Sequence, residues 1–143
     1  MGSVEYYSGP RSAPIRGIEA ASQTYDAGDL VDIDTAGHVI VATAGHIAGI
    51  ATKDATGTTS AVAEYEPINY EAIYVAKYHT DATSQSLVGD CLDFTFTIGG
   101  HTLDESSADT DVYCVALDPR DGAIASGRLL VKFYATMATA PAT

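Results

Sequence analysis

The sequence predicts an all-β fold, a sandwich or barrel of short antiparallel strands, on three observations. Clusters of Asp, Gly and Pro recur roughly every ten residues from Thr24 onward, the rhythm of turns between short strands. The runs between them are rich in Val, Ile, Thr, Tyr and Phe, residues that suit a pleated, half-buried surface. Several of these runs alternate apolar with polar residues, and only one segment also fits a helical period.

Residues 1–23 stand apart from this rhythm. They hold Pro10, Pro14, three glycines, the pair Tyr6-Tyr7 and two of the seven basic residues, Arg11 and Arg16. No period runs through them for long, so they are expected to form an extended N-terminal arm. Disordered tails are poor in tyrosine and isoleucine, whereas this one carries Tyr6, Tyr7, Ile15 and Ile18. The arm is therefore expected to dock rather than fray.

From Thr24 the elements follow in order. Tyr25-Asp26-Ala27-Gly28-Asp29 reads as a turn, with Asp supplying side-chain hydrogen bonds and Gly a permissive φ. Leu30, Val31 and Ile33 begin a strand, and Asp34-Thr35-Ala36-Gly37 turns into the β-branched run HVIVATA (38–44). Gly45 breaks that run, HIAGIAT (46–52) follows, and Asp54-Ala55-Thr56-Gly57 is a loop. PINYEAIYVAKYHT (67–80) fits two patterns: Tyr70, Ile73, Tyr74, Lys77 and Tyr78 at helical spacing, or Tyr70, Ala72, Tyr74, Ala76 and Tyr78 on one face of a strand. Its Tyr, Val and Ile content and the surrounding rhythm favour the strand.

LVGDCLDFTFTI (87–98) places Leu92, Phe94, Phe96 and Ile98 on one face and Asp93, Thr95 and Thr97 on the other, a half-buried strand. Gly99-Gly100 is a turn, and HTLDESSADTD (101–111) reads as a polar excursion. DVYCVALDP (111–119) is a strand halted by Asp118-Pro119-Arg120-Asp121-Gly122. The last strand, GRLLVKFYA (127–135), sets Leu129, Val131, Phe133 and Ala135 against Leu130, Lys132 and Tyr134. The expected organisation is an arm over 1–23, one β domain over 24–136 and a flexible tail over 137–143.

Composition narrows the function. A chain of 143 residues, 46% of them hydrophobic, is long enough for one domain with a real core. Nineteen acidic residues against seven basic ones leave a formal charge of −12. The basic residues are scattered (Arg11, Arg16, Lys53, Lys77, Arg120, Arg128, Lys132), which argues against nucleic acid and anionic membranes as partners. No run approaches the ~20 apolar residues of a membrane helix, and MGSVEYYSGPRSAPIRG lacks the apolar core of a signal peptide. Cys91 and Cys114 fall in expected strands, either as free thiols or as a bridge between neighbours.

The tools of catalysis are not in view. His38, His46, His79 and His101 are isolated, and a His38–His46 approach across a hairpin would supply only two metal ligands. There is no G-x-S-x-G elbow, and neither cysteine has cationic neighbours to activate it. The carboxylate pairs Asp26/Asp29, Asp32/Asp34, Asp90/Asp93, Asp104/Glu105 and Asp109/Asp111 sit mainly at turns and strand ends, where aspartate serves turn geometry. Asp32-x-Asp34-x-x-Gly37 lacks the remaining oxygens of a calcium loop. ATAGHIAGIATKDATG has no phosphate-cradling pattern. No enzyme activity, cofactor or metal is expected.

One stretch has a familiar ordering when read whole. TYDAGDLVDIDTAGHVIVATAGHIAGIATKDATG, with PINYEAIYVAKYHTDATSQSLVGDCLDF and DVYCVALDPRDGAIASGRLLVKFY downstream, resembles the capsid cement, or head decoration, proteins of tailed bacteriophages. The likeness covers about residues 24–135. It implies a small antiparallel β-barrel, β-tulip-like, and homotrimers on the outer surface of an icosahedral head. It also implies contact with the major capsid protein and with neighbouring decoration trimers, and synthesis in the host cytoplasm. Some members carry an N-terminal arm that reaches a neighbour. On that reading Tyr6, Tyr7, Pro10, Arg11, Pro14, Ile15 and Arg16 lie on a neighbour or on the capsid, tyrosine and arginine being frequent interface anchors. Tyr70, Tyr74 and Tyr78 lie either at the trimer contact or in ordinary barrel packing. The rival readings are a carbohydrate- or receptor-binding β-module of a tail or fibre, and a small hydrolase built on an aspartate pair.

Overall fold

The computed structural model describes residues 3–43, 46–79, 82–105 and 111–134. Among these, the chain runs through β1 (Val4–Ser8), β2 (Ile15–Ile18), β3 (Leu30–Ile33), β4 (Val39–Val41), β5 (Gly49–Ala51), β6 (Val62–Pro67) and β7 (Ile73–Tyr78). A single 3-10 turn, Gln85–Leu87, precedes β8 (Cys91–Thr95), β9 (Thr102–Asp104), β10 (Val112–Leu117) and β11 (Arg128–Phe133). The all-β fold expected from the sequence is the one observed.

Five strands close a barrel in the order β7, β11, β10, β8, β9 and back to β7. Strand direction cannot alternate all the way round a ring of five, so one seam must be parallel. It is β7–β9, with Lys77 opposite Thr102 and Tyr78 opposite Leu103. The other four seams are antiparallel. Because β9 covers only the end of β7, the rest of that edge is free for β1, where Val4 faces Ala76 and Tyr6 faces Tyr74.

The period of two now explains the sequence pattern. Tyr74, Ala76 and Tyr78 from β7 point into the barrel with Leu129, Val131 and Phe133 from β11, Leu92 and Phe94 from β8, and Leu103 and Cys114. Phe94 stacks on Phe133 with ring centres 5.8 Å apart, and Tyr74 meets the same ring edge-on at 5.3 Å.

The second sheet, in the order β2-β6-β5-β3-β4, leans on the barrel. Its β3 is buried on both faces: Leu30 joins the barrel core, whereas Val31 joins a smaller cluster with Tyr25, Val39, Ala51 and Ala63. Gly49 permits the close approach of β5 to β6; a Cβ there would collide with the Glu66 carbonyl oxygen and lie 2.7 Å from the Tyr65 ring.

The extended N-terminal arm is not what the described residues form. β1 is hydrogen-bonded to the barrel and β2 to β6 (Ile15 opposite Tyr65, Ile18 opposite Val62), so the segment contributes a strand to each sheet. Glu19, fully buried, accepts hydrogen bonds from the Thr56 N–H and hydroxyl and from the Gly57 N–H, fastening the loop after β5. Non-local pairing decides this, and no local period could announce it. Two other expectations shift: the polar excursion contains β9, and Asp93 is buried although alternation pointed it outward. VAEYEP, unassigned from the sequence, is the strand β6. In 67–79, Pro67 ends β6 and Ile73–Tyr78 is β7, preceded by a turn at Asn69–Ala72. The tail expected over 137–143 lies outside the described residues, as do Ala135 and Asp109.

Candidate interaction surface

The residues expected on a partner fall into three groups. Tyr6 and Arg11 are engaged within the chain. The Arg11 guanidinium donates to both Glu66 oxygens, at 2.6 and 3.2 Å, and lies 4.1 Å above the Tyr6 ring. Tyr6 in turn meets Tyr74 edge-on at 6.4 Å and donates its hydroxyl to the Gly9 carbonyl. This chain of contacts holds the link between β1 and β2 against both sheets. Hydrogen bonding to Glu66 raises the already high Arg11 pKa, so the guanidinium keeps its charge.

The second group is exposed. Tyr7, Pro10, Pro14, Ile15 and Arg16 all present themselves to solvent. Among the described residues, β2 has β6 on one side and, on the other, only the bridge from Glu19 to Val39 just past its end. It is thus an edge strand, with apolar Ile15 45% and Ile18 46% exposed beside the charged Arg16, and Val62 of β6, directly opposite Ile18, 52% exposed. Arg16 sits beside this pair, 3.6 Å from Glu64. Alternation turns Ile15 to the opposite face from Ile18, so apolar surface wraps the strand. Natural edges are normally protected by charge, proline or cover; here Pro14 and Arg16 supply part of that protection, and two isoleucines remain half exposed.

The third group resolves the aromatic segment. Tyr74 and Tyr78 are buried in the barrel, and burial raises the Tyr74 hydroxyl pKa, while Tyr70 lies in the preceding turn and is exposed. As barrel packing, Tyr74 and Tyr78 are withdrawn from any trimer contact made by side chains; Tyr70 alone of the three could touch a partner.

Among the described residues no group of three His, Cys, Asp or Glu side chains lies close enough to hold a metal ion. Cys91 faces Tyr113 across the β8–β10 pair, so Cys114, one position on, points to the other face. Both thiols are free: Cys91 is exposed and touches the Tyr134 hydroxyl at 2.8 Å, whereas burial pushes Cys114 up to about 11. The turn after β10 carries an ion network. Arg120 clamps the buried Asp118, and hydrogen bonds from Arg128 hold Asp121 down at about 2.

Two cavities open on the surface. One, about 270 Å³, lies at the notch where β1 and β9 share β7, walled by Glu5, Lys77, His101, Thr102 and Arg128. A wider polar hollow of about 460 Å³ is walled by His79, Ser84, Asp104 and Glu105, with the Tyr78 hydroxyl donating to Glu105. What sequence reading missed is the partnership of Ser3, Asp29 and His101 beside the first cavity. The only signals were a turn aspartate and a lone histidine, 72 positions apart.

No family model, curated protein or solved structure matches this chain. The fold places it in a broad class, the all-β proteins with a closed five-stranded barrel and a second sheet packed against it.

Proposed function

We propose that this protein is a non-catalytic capsid cement protein, which binds the outside of an icosahedral phage head as a homotrimer and stabilises it. The phage setting comes from the sequence resemblance over residues 24–135. The observation that carries the docking role is the sheet edge at β2, open on one side among the described residues: Ile15 and Ile18 on β2, with Val62 on the adjoining β6, are about half exposed. A strand or loop of the major capsid protein, or of a neighbouring trimer, fits such an edge through backbone hydrogen bonds, with side-chain pockets adding selectivity.

Cementing needs only a surface that binds the assembled lattice better than its free subunits, since a ligand of one state stabilises that state by mass action. Three modest contacts on one trimer add avidity through effective concentration. The −12 formal charge of each copy keeps trimers soluble, and the Arg11–Glu66 and Arg16–Glu64 pairs lower the repulsion near the edge.

Sedimentation of the purified protein, followed by co-pelleting with empty phage heads, tests the reading. A trimer that pellets with heads supports it; a monomer with no affinity for heads overturns it. The exposed rings of Tyr7 and Tyr70 favour the second reading, a glycan- or receptor-binding module of a tail or fibre. A monomer retained on a glycan array would establish that reading instead.

A further inference from the structure

Asp29 and His101 meet in a fully buried site that the docking role does not use. Three chain segments converge on the Asp29 carboxylate. Oδ1 accepts the Ser3 hydroxyl at 2.7 Å, and Oδ2 accepts the backbone N–H groups of Asp26 and Gly99, each at 2.9 Å. The His101 ring, also without solvent exposure, holds Nε2 3.8 Å from the same Oδ1, beyond hydrogen-bond length. The ring packs edge-on against Phe96, and the His101 backbone N–H donates to Ser3 Oγ at 3.0 Å. Ser3 is therefore the pin between the β9 end of the barrel and the turn before β3. The next residue, Val4, donates its N–H to the Gly28 carbonyl of that turn at 3.0 Å and begins β1.

We propose that His101 is a proton-operated latch on β1: the neutral ring is tolerated in the closed site beside Ser3 and Asp29, and protonating it there favours the state in which β1 has left and water reaches the ring.

The direction follows from burial. An imidazolium here would be held out of water with Asp29 Oδ1 at 3.8 Å, too far for a hydrogen bond, whereas departure of β1 takes Ser3 away and opens the ring to solvent. The closed site therefore favours the neutral ring. Burial lowers the His101 pKa, opposed by Asp29 and by the Leu30 backbone. The other charged groups around the site are Asp26 from the turn and, along the adjoining cavity, Glu5 from β1, Lys77 from β7 and Arg128 from β11. A histidine depressed in the folded state contributes stability that is whole above the ordinary histidine pKa and is lost as pH falls through the lowered one. β1 lies at a sheet edge, so it can leave while the five-stranded ring stays closed.

The test is amide hydrogen exchange between pH 7.5 and 5, corrected for intrinsic rates, comparing β1 with β11 in one sample. Protection of β1 is expected to fall about tenfold while β11 is unchanged. In His101→Phe, which cannot be protonated, β1 protection is expected to be independent of pH. In Ser3→Ala, β1 is expected to be loose already at pH 7.5. Nuclear magnetic resonance of the His101 ring in the wild-type chain gives a readout independent of variant folding. Titration below ordinary histidine, with Val4–Tyr6 shifts following the same curve, supports the latch. A pH-independent β1, or a ring titrating at or above the ordinary value, overturns it.

Discussion

Arg11 grips Glu66 across 55 positions of sequence with two hydrogen bonds, joining the link between β1 and β2 to a strand of the second sheet. The carboxylate is nearly buried while the guanidinium is half exposed, so the two partners are not equivalent. Removing the arginine leaves a charge with no compensation, the more damaging way to break a pair. Arg11→Ala is expected to lower stability by about 1–3 kcal/mol in urea unfolding. Arg11/Glu66 replaced together by Ala and Gln should recover part of that. An additive double variant would show that the two do not interact. Arg11→Lys is expected to behave more like Ala than like Arg, because it loses both the fork and the stacking on Tyr6.

The aromatic segment separates packing from contact. Tyr74→Ala removes a buried ring that touches both Phe133 and Tyr6, and is expected to cost about 3–5 kcal/mol. Tyr70→Ala, in an exposed turn, is expected to stay within about 0.5 kcal/mol of the wild type. Equal losses at the two positions would contradict the placement of Tyr74 inside the barrel.

The docking edge has a sharper test than truncation. Deleting residues 1–18 would strip β1 and β2, including the buried Val4, whose burial alone is worth roughly 1.5–3 kcal/mol, so lost binding would be ambiguous. Ile18→Glu with Val62→Lys alters only exposed side chains on one face. The thermal midpoint is expected to hold within a few degrees while binding to phage heads weakens about tenfold or more. Undiminished binding would remove this face from the mechanism.

The two thiols are expected to react in sequence. Cys91 is open to solvent, whereas Cys114 is buried with its thiol pushed up to about 11. One thiol per chain should titrate with an aromatic disulfide reagent in native buffer and two in denaturant. Oxidation should give no bridge within the chain, because neighbouring positions of paired strands put the sulfurs on opposite faces. A Cys91–Cys114 peptide after mild oxidation would refute the register.

Acid should weaken the turn after β10 as Asp121 loses its charge. Hydrogen bonds from Arg128 depress Asp121 to about 2. A depressed carboxylate contributes stability that is complete above its unfolded value near 4 and is lost as pH falls through about 2. Stability measured from pH 4.5 to 2 is therefore expected to fall more steeply in the wild type than in Asp121→Asn. Parallel slopes would show that the pair contributes nothing.

Four of the five barrel strands (β7, β8, β10 and β11) were legible along the chain because each carries apolar runs of its own: Leu92 and Phe94, or Leu129, Val131 and Phe133, state which face is buried without reference to any partner; the short, polar β9 was not. The Tyr25–Asp29 turn was legible for the same reason, its chemistry being local. Pairing was not local. β1 and β2 have weak periods of their own and become strands because β7 and β6 offer them open edges. A closed ring of five needs one parallel seam, which no stretch of sequence can declare. Asp29 looked like one more turn carboxylate, and His101 like a solitary ring. Only the meeting of β1, the turn before β3 and the turn before β9 places them 3.8 Å apart and out of water.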